Sequence, residues 1–238
     1  MINLRLDQYL VEHNGIFSRN KAQELIKAKK VSVDGKVIVK PAFKVADECV
    51  EVDQTDIYVS RAAWKLKGFL PELPFDVQGM EVVDIGASTG GFTQVLLEKG
   101  AEHVYAVDVG SDQLHPTLRK DSRITSIENT DIRDYDPERT FELLVSDVSF
   151  ISLLNILDDV DRLAEKWIIL LFKPQFEVGR EVKRDKHGVV QDKKAIEKAK
   201  MRFEDAASLL NWELIAMETS KLSGKEGNSE FCYCFRKD

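Results

Sequence analysis

The stretch Asp84-Ile85-Gly86-Ala87-Ser88-Thr89-Gly90-Gly91-Phe92 follows the short run Glu81-Val82-Val83 and precedes Thr93-Gln94-Val95-Leu96-Leu97-Glu98-Lys99, which Gly100 closes. The β-branched run reads as a buried strand, and the segment after the glycines has helix-forming composition with a glycine stop. Strand, glycine-rich turn and helix form the geometry that holds a nucleoside cofactor. Glycines let the backbone approach the ligand, and the helix start presents free N–H groups. Dinucleotide-binding turns place their first glycine where this turn has Asp84. A carboxylate there repels a pyrophosphate but suits a cofactor with a cationic amino-acid end, which points to S-adenosylmethionine (SAM). Val104-Tyr105-Ala106-Val107-Asp108 then supplies an apolar strand ending in an acid about 20 residues beyond the turn, the distance of a ribose-binding carboxylate.

Outward from this turn the chain alternates strand and helix. Strands are predicted at 81–85, 103–108, 124–128, 141–147, 167–172, 212–218 and 231–236, and helices at 92–99, 151–164 and 193–210. Repeated βα units imply an α/β, Rossmann-like fold with a mostly parallel, doubly wound sheet and ligands at the carboxyl ends of its strands. Glu128-Asn129-Thr130-Asp131 ends the third strand, where an acid meets an adenine amino group. Asp147 ends the fourth and Lys173-Pro174-Gln175-Phe176 the fifth. The expected cofactor set is Asp84, Gly86, Ala87, Ser88, Thr89, Gly90, Gly91, Phe92, Asp108, Val109, Asp131 and Asp147. A charged loop with Lys183, Arg184, Lys186, His187 and Gly188 follows, able to grip phosphates beside a site.

Upstream lies a different kind of segment. Leu4, Leu6, Tyr9 and Leu10 mark a first amphipathic helix, and Ser18 is placed to cap a second with Ala22, Leu25 and Ile26 on its apolar stripe. Val31 and Val33 alternate with polar residues up to Asp34-Gly35, a strong hairpin signal, and Cys49-Val50-Glu51-Val52 reads as a further strand. The polar stretch 53–57 reads as a connection. The expected division is residues 1–55, a linker at 56–60 and a second domain at 61–238. A helix from Tyr58 to Leu70, capped at Ser60, should carry Arg61 and Lys65 on one face.

The 238 residues suffice for one sizeable α/β domain and a small module, and 43% apolar with 32% charged residues is a soluble composition. No window approaches the roughly 18 apolar residues of a membrane span, and the first residues lack a signal peptide's basic and apolar regions, so a cytoplasmic protein is expected. Cys49, Cys232 and Cys234 do not make a disulfide framework and read as packing residues; no metal is expected. Net charge is −7, yet residues 1–46 carry nine basic groups against four acidic ones. A basic end on an acidic chain suggests an anion-binding module.

Once Asp84, Asp108 and Asp131 are assigned to the cofactor, Asp147, Lys173, Lys65 and Glu230 remain near one sheet edge. Ion pairing alone would explain them. So would methyl transfer to an alcohol, which needs a base for a weakly acidic hydroxyl; a lysine serves when a second ammonium and desolvation favour its neutral form. Devices for other methyl acceptors are missing, since no cysteine lies near the fourth or fifth strand and no Asn/Asp-Pro-Pro-aromatic turn is present.

Arg5-Leu6-Asp7, Ser18-Arg19, Ala22, Ile26, Val31-x-Val33-Asp34-Gly35 and Lys40-Pro41 resemble the S4-type RNA-binding domain, with a lysine (Lys29 or Lys30) replacing the usual glycine before the first strand. With Ser60-Arg61, Lys65-Leu66, the Asp84–Phe92 turn, Val107-Asp108-Val109-Gly110, Ser146-Asp147-Val148-Ser149-Phe150, Lys173-Pro174-Gln175-Phe176 and Gly227-Asn228-Ser229-Glu230, almost the whole chain resembles the TlyA/haemolysin A family and, through it, FtsJ-type 2′-O-methyltransferases. The resemblance implies SAM-dependent methylation of a cytidine 2′-hydroxyl in ribosomal RNA, with Lys65, Asp147, Lys173 and Glu230 as a Lys-Asp-Lys-Glu tetrad and Lys173 as base. It implies RNA contacts by Arg5, Arg19, Lys21, Lys27, Lys29, Lys30 and Arg61, with ribosomal RNA or subunits as partners of a monomer. A non-catalytic RNA-binding assembly factor and a membrane-lytic protein are the alternatives; the second lacks any strongly amphipathic stretch.

Overall fold

The structure is a computed structural model and describes residues 4–16, 18–53 and 57–237. The chain separates into two compact units, Met1–Ile57 and Tyr58–Asp238. Residues 54–56, within the stretch read as a connection, lie outside the described residues.

In the small unit, helices Leu6–His13 and Arg19–Lys27 pack beside a three-stranded antiparallel sheet with Val31–Val33 at its centre, Lys36–Val37 on one side and Val50–Val52 on the other. Ser18 caps the second helix, its hydroxyl accepting the Lys21 N–H at 3.1 Å. Asp34 and Gly35 have φ of 48° and 72°, the pair of positive values that a two-residue type I′ hairpin demands. The first helix starts later than its apolar spacing implies: Leu4–Arg5 is extended and pairs with Lys44–Val45. Leu6, Leu10, Ala22, Leu25, Ile26, Val31, Val33 and Val45 form the core. A domain of this size is marginal, so single interactions count.

Two such interactions stand out. Asp7 is fully covered at the start of the first helix; both its oxygens pair with the Arg5 guanidinium (3.0 and 3.1 Å), and one also accepts from Arg19 (3.2 Å) and Gln23 (2.7 Å). Burial works against the charge, but these donors prevail and hold the carboxyl down to about 2. Lys29, just before the central strand, adopts φ of 62°, so it is the lysine that stands in the glycine-favouring position.

The large unit is built on a seven-stranded sheet. Its strands are β1 (Glu81–Ile85), β2 (His103–Val107), β3 (Ile124–Ile127), β4 (Phe141–Ser146), β5 (Ala164–Phe172), β6 (Trp212–Thr219) and β7 (Phe231–Lys237), in the order β6-β7-β5-β4-β1-β2-β3. All neighbours are parallel except β7, which runs antiparallel to both β5 and β6. The helices are α1 (Ala62–Phe69), α2 (Gly91–Glu98), α3 (Pro116–Arg119), α4 (Leu157–Leu163), α5 (Pro174–Glu177) and α6 (Lys193–Leu209). Alternate strand residues enter separate cores: Val83, Leu144, Ile168, Leu170, Tyr233 and Phe235 on one face, Val82, Leu143, Ile169, Leu171, Cys232 and Cys234 on the other. Cys232 and Cys234 therefore pack, as the alternation implies, whereas Cys49, expected to pack as well, is exposed.

Three expectations need correction. α1 begins at Ala62 with Arg61 at its N-cap and no side-chain cap, because Ser60 lies against the glycine turn instead. The helix expected at 151–164 is broken into a 3₁₀ turn, Leu153–Asn155, and α4, and β5 starts at Ala164 rather than 167. Two four-residue helices, α3 and α5, were not anticipated; each opens with proline, which is preorganised for a first turn.

Lys29→Gly should stabilise the small unit by about 0.5–1 kcal/mol, since a lysine in left-handed backbone costs about that much more than glycine; slower hydrogen exchange in the Val31–Val33 strand is the measurement. Asp7 stabilises the fold while ionised, and its carboxyl lies below its usual 3.8, so that contribution is complete above this value and is lost as pH falls toward about 2. Amide exchange in Leu6–His13 should accelerate over this interval in the wild type, and far less in Asp7→Asn.

Candidate active site

β1, β4 and β5 are neighbours and parallel, so Gly86, Asp147 and Lys173 emerge at one sheet edge. β7 arrives antiparallel, with Phe231 opposite Phe172, so its first residues reach the same edge and Glu230 comes next to Lys173. Lys65 joins from α1. The Lys173 Nζ lies 2.5 Å from Asp147 Oδ1, Lys65 Nζ 3.7 Å from Asp147 Oδ2, and Lys65 Nζ 2.6 Å from Glu230 Oε2. Lys173 also donates to Ser149 Oγ (2.8 Å) and to the Asp147 carbonyl (3.2 Å). All four side chains are at most 12% exposed, so the charges alternate along a nearly dry row.

This row lies along a cleft of about 970 Å³ that also takes in Arg61, Asp84, Gly86, Ser88, Phe150, Gln175, Phe176, Arg184 and His187. A second cavity of about 320 Å³ shares Gly86, Ser88, Asp147, Ser149 and Phe150 with it and extends past Asp108, Val109, Asp131 and Ile132. The turn between them is shaped by its backbone. Gly86 has φ of 77°, and a Cβ there would lie 3.0–3.3 Å from Val148; a Cβ on Gly91 would lie 2.1 Å from Ser60 Oγ. Gly90 is the left-handed N-cap of α2.

The residues fit a nucleoside with a cationic end. Asp84 is buried, borders the cleft, and its Oδ1 has no hydrogen-bond partner among the described residues, while Oδ2 accepts from Thr93 at 2.6 Å. A buried carboxylate oxygen left without a donor is ready for an ammonium group. Asp108 accepts N–H bonds from Ser88 and Gly110, both 2.7 Å, which fix its carboxylate and still leave lone pairs for ribose hydroxyls. Asp131 lines the second cavity but is held by Arg133 in a bidentate pair, and Val109 lies exposed at the rim.

The other expected residues lie as follows in the structure. Arg5 and Arg19 are committed to Asp7, and Lys21 and Lys30 pair with Glu24 and Asp53. Lys27 and Lys29 are exposed. Arg61, at the cleft, donates to the Ser223 carbonyl. Arg184, read as a phosphate grip, turns inward and donates to the carbonyls of Gln175, Gly179 and Val182, bracing the loop after β5. Sequence reasoning gave no role to Ser149, Thr93 or Gln175. Asn228 it placed only within a motif; that side chain is buried and bonds Val190 N–H and the Gly188 carbonyl, tying the charged loop to the segment carrying Glu230. Hydroxyls and amides of this kind carry no periodicity that would mark them in advance. Among the described residues no cluster of His, Cys, Asp or Glu is arranged for a metal, and no helix is long and apolar enough to cross a membrane.

Gly86→Ala should remain folded yet weaken nucleoside-cofactor binding at least tenfold, because the added methyl both strains the backbone and presses on Val148; calorimetric titration measures it.

The profile of the FtsJ-like methyltransferase family matches residues 58–237 and that of the S4 domain residues 4–49. The chain is 46% identical to the 23S rRNA (cytidine-2′-O)-methyltransferase TlyA of Campylobacter jejuni over 99% of this chain and 100% of that protein. It is 41% identical to the 16S/23S rRNA (cytidine-2′-O)-methyltransferase TlyA of Mycobacterium tuberculosis, over 95% and 87% of the two chains. Among solved structures, a haemolysin-named protein from Streptococcus thermophilus aligns with a TM-score of 0.71 at 33% identity, covering 100% of this chain and 89% of that one. A glycine turn following Asp84, a buried Lys-Asp-Lys-Glu row and these full-length likenesses together make the chain a member of the TlyA branch of the FtsJ-like methyltransferases, with an S4 domain preceding the methyltransferase domain.

Proposed function

We propose that this protein methylates the 2′-hydroxyl of a cytidine in ribosomal RNA, using SAM, in the cytoplasm where ribosomes are built. Both TlyA relatives are named for 23S rRNA and one also for 16S, so 23S rRNA is the first substrate to test. The observation that carries the reading is the row Lys173–Asp147–Lys65–Glu230 beside the cofactor turn, because two ammonium groups and two carboxylates out of water serve a proton transfer better than they serve stability.

When bound, SAM supplies a methyl group made electrophilic by its sulfonium. Asp84 would hold its ammonium end, Asp108 the ribose and the second cavity the adenine. The acceptor nucleotide then enters the larger cleft from the side of Phe150 and Phe176, whose rings lie 5.4 Å apart; Phe150 is 90% exposed, an open aromatic face for a base to stack on. Lys173, in its neutral form, would take the hydroxyl proton as the oxygen bonds the methyl carbon and the carbon–sulfur bond breaks to leave a neutral thioether, and would end the step as an ammonium. Asp147 and Ser149 hold the Lys173 nitrogen at that point and stabilise the charge it acquires. Lys65, anchored by Glu230, places a positive charge near the oxygen as its negative charge grows.

In the small unit, Arg5 and Arg19 keep partly exposed guanidinium groups while neutralising Asp7, and with Lys27 and Lys29 they would meet RNA phosphates. Lys173→Arg keeps the charge but cannot release a proton at working pH. It should therefore lose at least about 100-fold in rate while SAM affinity stays within about twofold, read by tritium transfer and calorimetry. Mapping 2′-O-methyl sites in rRNA from cells with and without the protein tests the substrate: a missing cytidine modification is expected, and an unchanged map would refute it.

A further inference from the structure

We infer that Thr93 is a positioning residue for cofactor binding, which turns Asp84 so that one carboxylate oxygen is left facing the cofactor's ammonium group, and that this ammonium displaces a proton from Asp84 as it binds. The inference rests on the SAM reading of the cleft and deepens it.

The geometry is specific. Thr93 lies on the first turn of α2, is fully buried, and its hydroxyl donates to Asp84 Oδ2 at 2.6 Å. The hydroxyl holds Oδ2 against the start of α2, where the Thr93 backbone N–H also favours the ionised carboxyl. The other oxygen, Oδ1, is buried and has no hydrogen-bond partner among the described residues, although Asp84 borders the cleft. A buried carboxylate with one oxygen left without a donor is undersolvated, and either a proton or a cation must complete it.

The surrounding charges do not supply that cation. Asp108, at the end of β2, and Asp147, at the end of β4, both face Asp84 and disfavour its ionisation. The two lysines of the cleft, Lys65 from α1 and Lys173 after β5, are in ion-pair contact with Asp147. Burial is the largest influence and, despite the Thr93 hydroxyl and backbone N–H acting the other way, raises the Asp84 carboxyl to about 7. The free protein therefore carries a proton on Asp84 through mildly acidic conditions. An ammonium brought to Oδ1 favours the ionised form, so binding expels the proton and tightens as pH rises toward 7.

The test uses S-adenosylhomocysteine, which has the same ammonium end and cannot react, titrated calorimetrically into the full-length protein between about pH 5 and 6.7, about one unit or more below the values near 7.7–8.0 at which an α-amino group itself titrates. Affinity should fall by up to about tenfold per pH unit on the acid side. Titrations in buffers of different ionisation enthalpy should report protons released on binding. 5′-Methylthioadenosine, which lacks the amino-acid end, should bind with no such dependence. Thr93→Val keeps the shape and removes the hydroxyl; its pH profile should move to higher pH, and Thr93→Ser should restore it. Asp84→Asn should bind weakly with a flat profile. A flat profile with no proton release in the wild type would overturn the proposal, as would a Thr93→Val profile superimposable on the wild type. Failure of the wild type to bind S-adenosylhomocysteine at any pH would instead overturn the cofactor reading itself.

Discussion

The carboxylate of Asp147 stands between two ammonium groups, 2.5 Å from Lys173 and 3.7 Å from Lys65, and Glu230 completes the row 2.6 Å beyond Lys65. Removing any one member would leave a charge uncompensated in a nearly dry site, at a cost of about 3–5 kcal/mol. The surrounding structure exists to hold these four groups in register. Ser149 accepts from Lys173, the 3₁₀ turn that follows is pinned by Glu177 through Ser152 and the Leu153 N–H, and Arg184 braces the loop after β5 by its carbonyls. Glu177 is itself buried, which raises its carboxyl above the usual range. So much buried polarity fits a site kept for chemistry, since an apolar edge would be easier to stabilise.

The cofactor side is organised by backbone more than by side chains. Asp108 receives two N–H groups, one from the glycine turn and one from the loop after β2. Glu128 at the end of β3 collects three more, from Asp112, Gln113 and Leu114, together with the Arg119 guanidinium. Its carboxyl is held below the usual range by those backbone groups. The loop so anchored places Leu114 and Leu118 against Gly90, where a Cβ would come within 2.4–2.7 Å of them. The turn is therefore clasped from both sides, by Ser60 at Gly91 and by this loop at Gly90, and its glycines leave room for the clasp as much as for a ligand.

In the small unit, partly exposed guanidinium groups neutralise a covered carboxylate. The unit's basic residues stand out against an acidic chain, yet two of them are bound to the covered carboxylate of Asp7. Each guanidinium has five N–H donors, so pairing with a carboxylate leaves others facing outward. An exposed surface built this way is held in place by the core beneath it.

Read without the structure, the sequence already determined the strand pattern, the parallel character of the sheet, the glycine turn with Asp84 and Asp108, the Ser18 cap and the Asp34-Gly35 hairpin. Each of these is a local consequence of alternation, β-branching or positive φ, and all seven strands of the large sheet fall within three residues of the positions that periodicity implies. What the sequence could not determine was meeting: which of the many charged residues face one another. Arg184 and Arg61 look alike along the chain and both border the cleft, but Arg184 donates to the carbonyls of Gln175, Gly179 and Val182 while Arg61 donates to that of Ser223. Thr93 and Asn228 acquire their roles only when α2 lies on β1 and when the 188–190 segment folds onto the turn before β7. Glu230 is the clearest case. It reaches Lys65 because β7 inserts antiparallel between β5 and β6, which brings its beginning, rather than its end, to the edge where the parallel strands finish. Strand direction is settled by pairing with partners distant in the sequence, so only the assembled sheet could decide it.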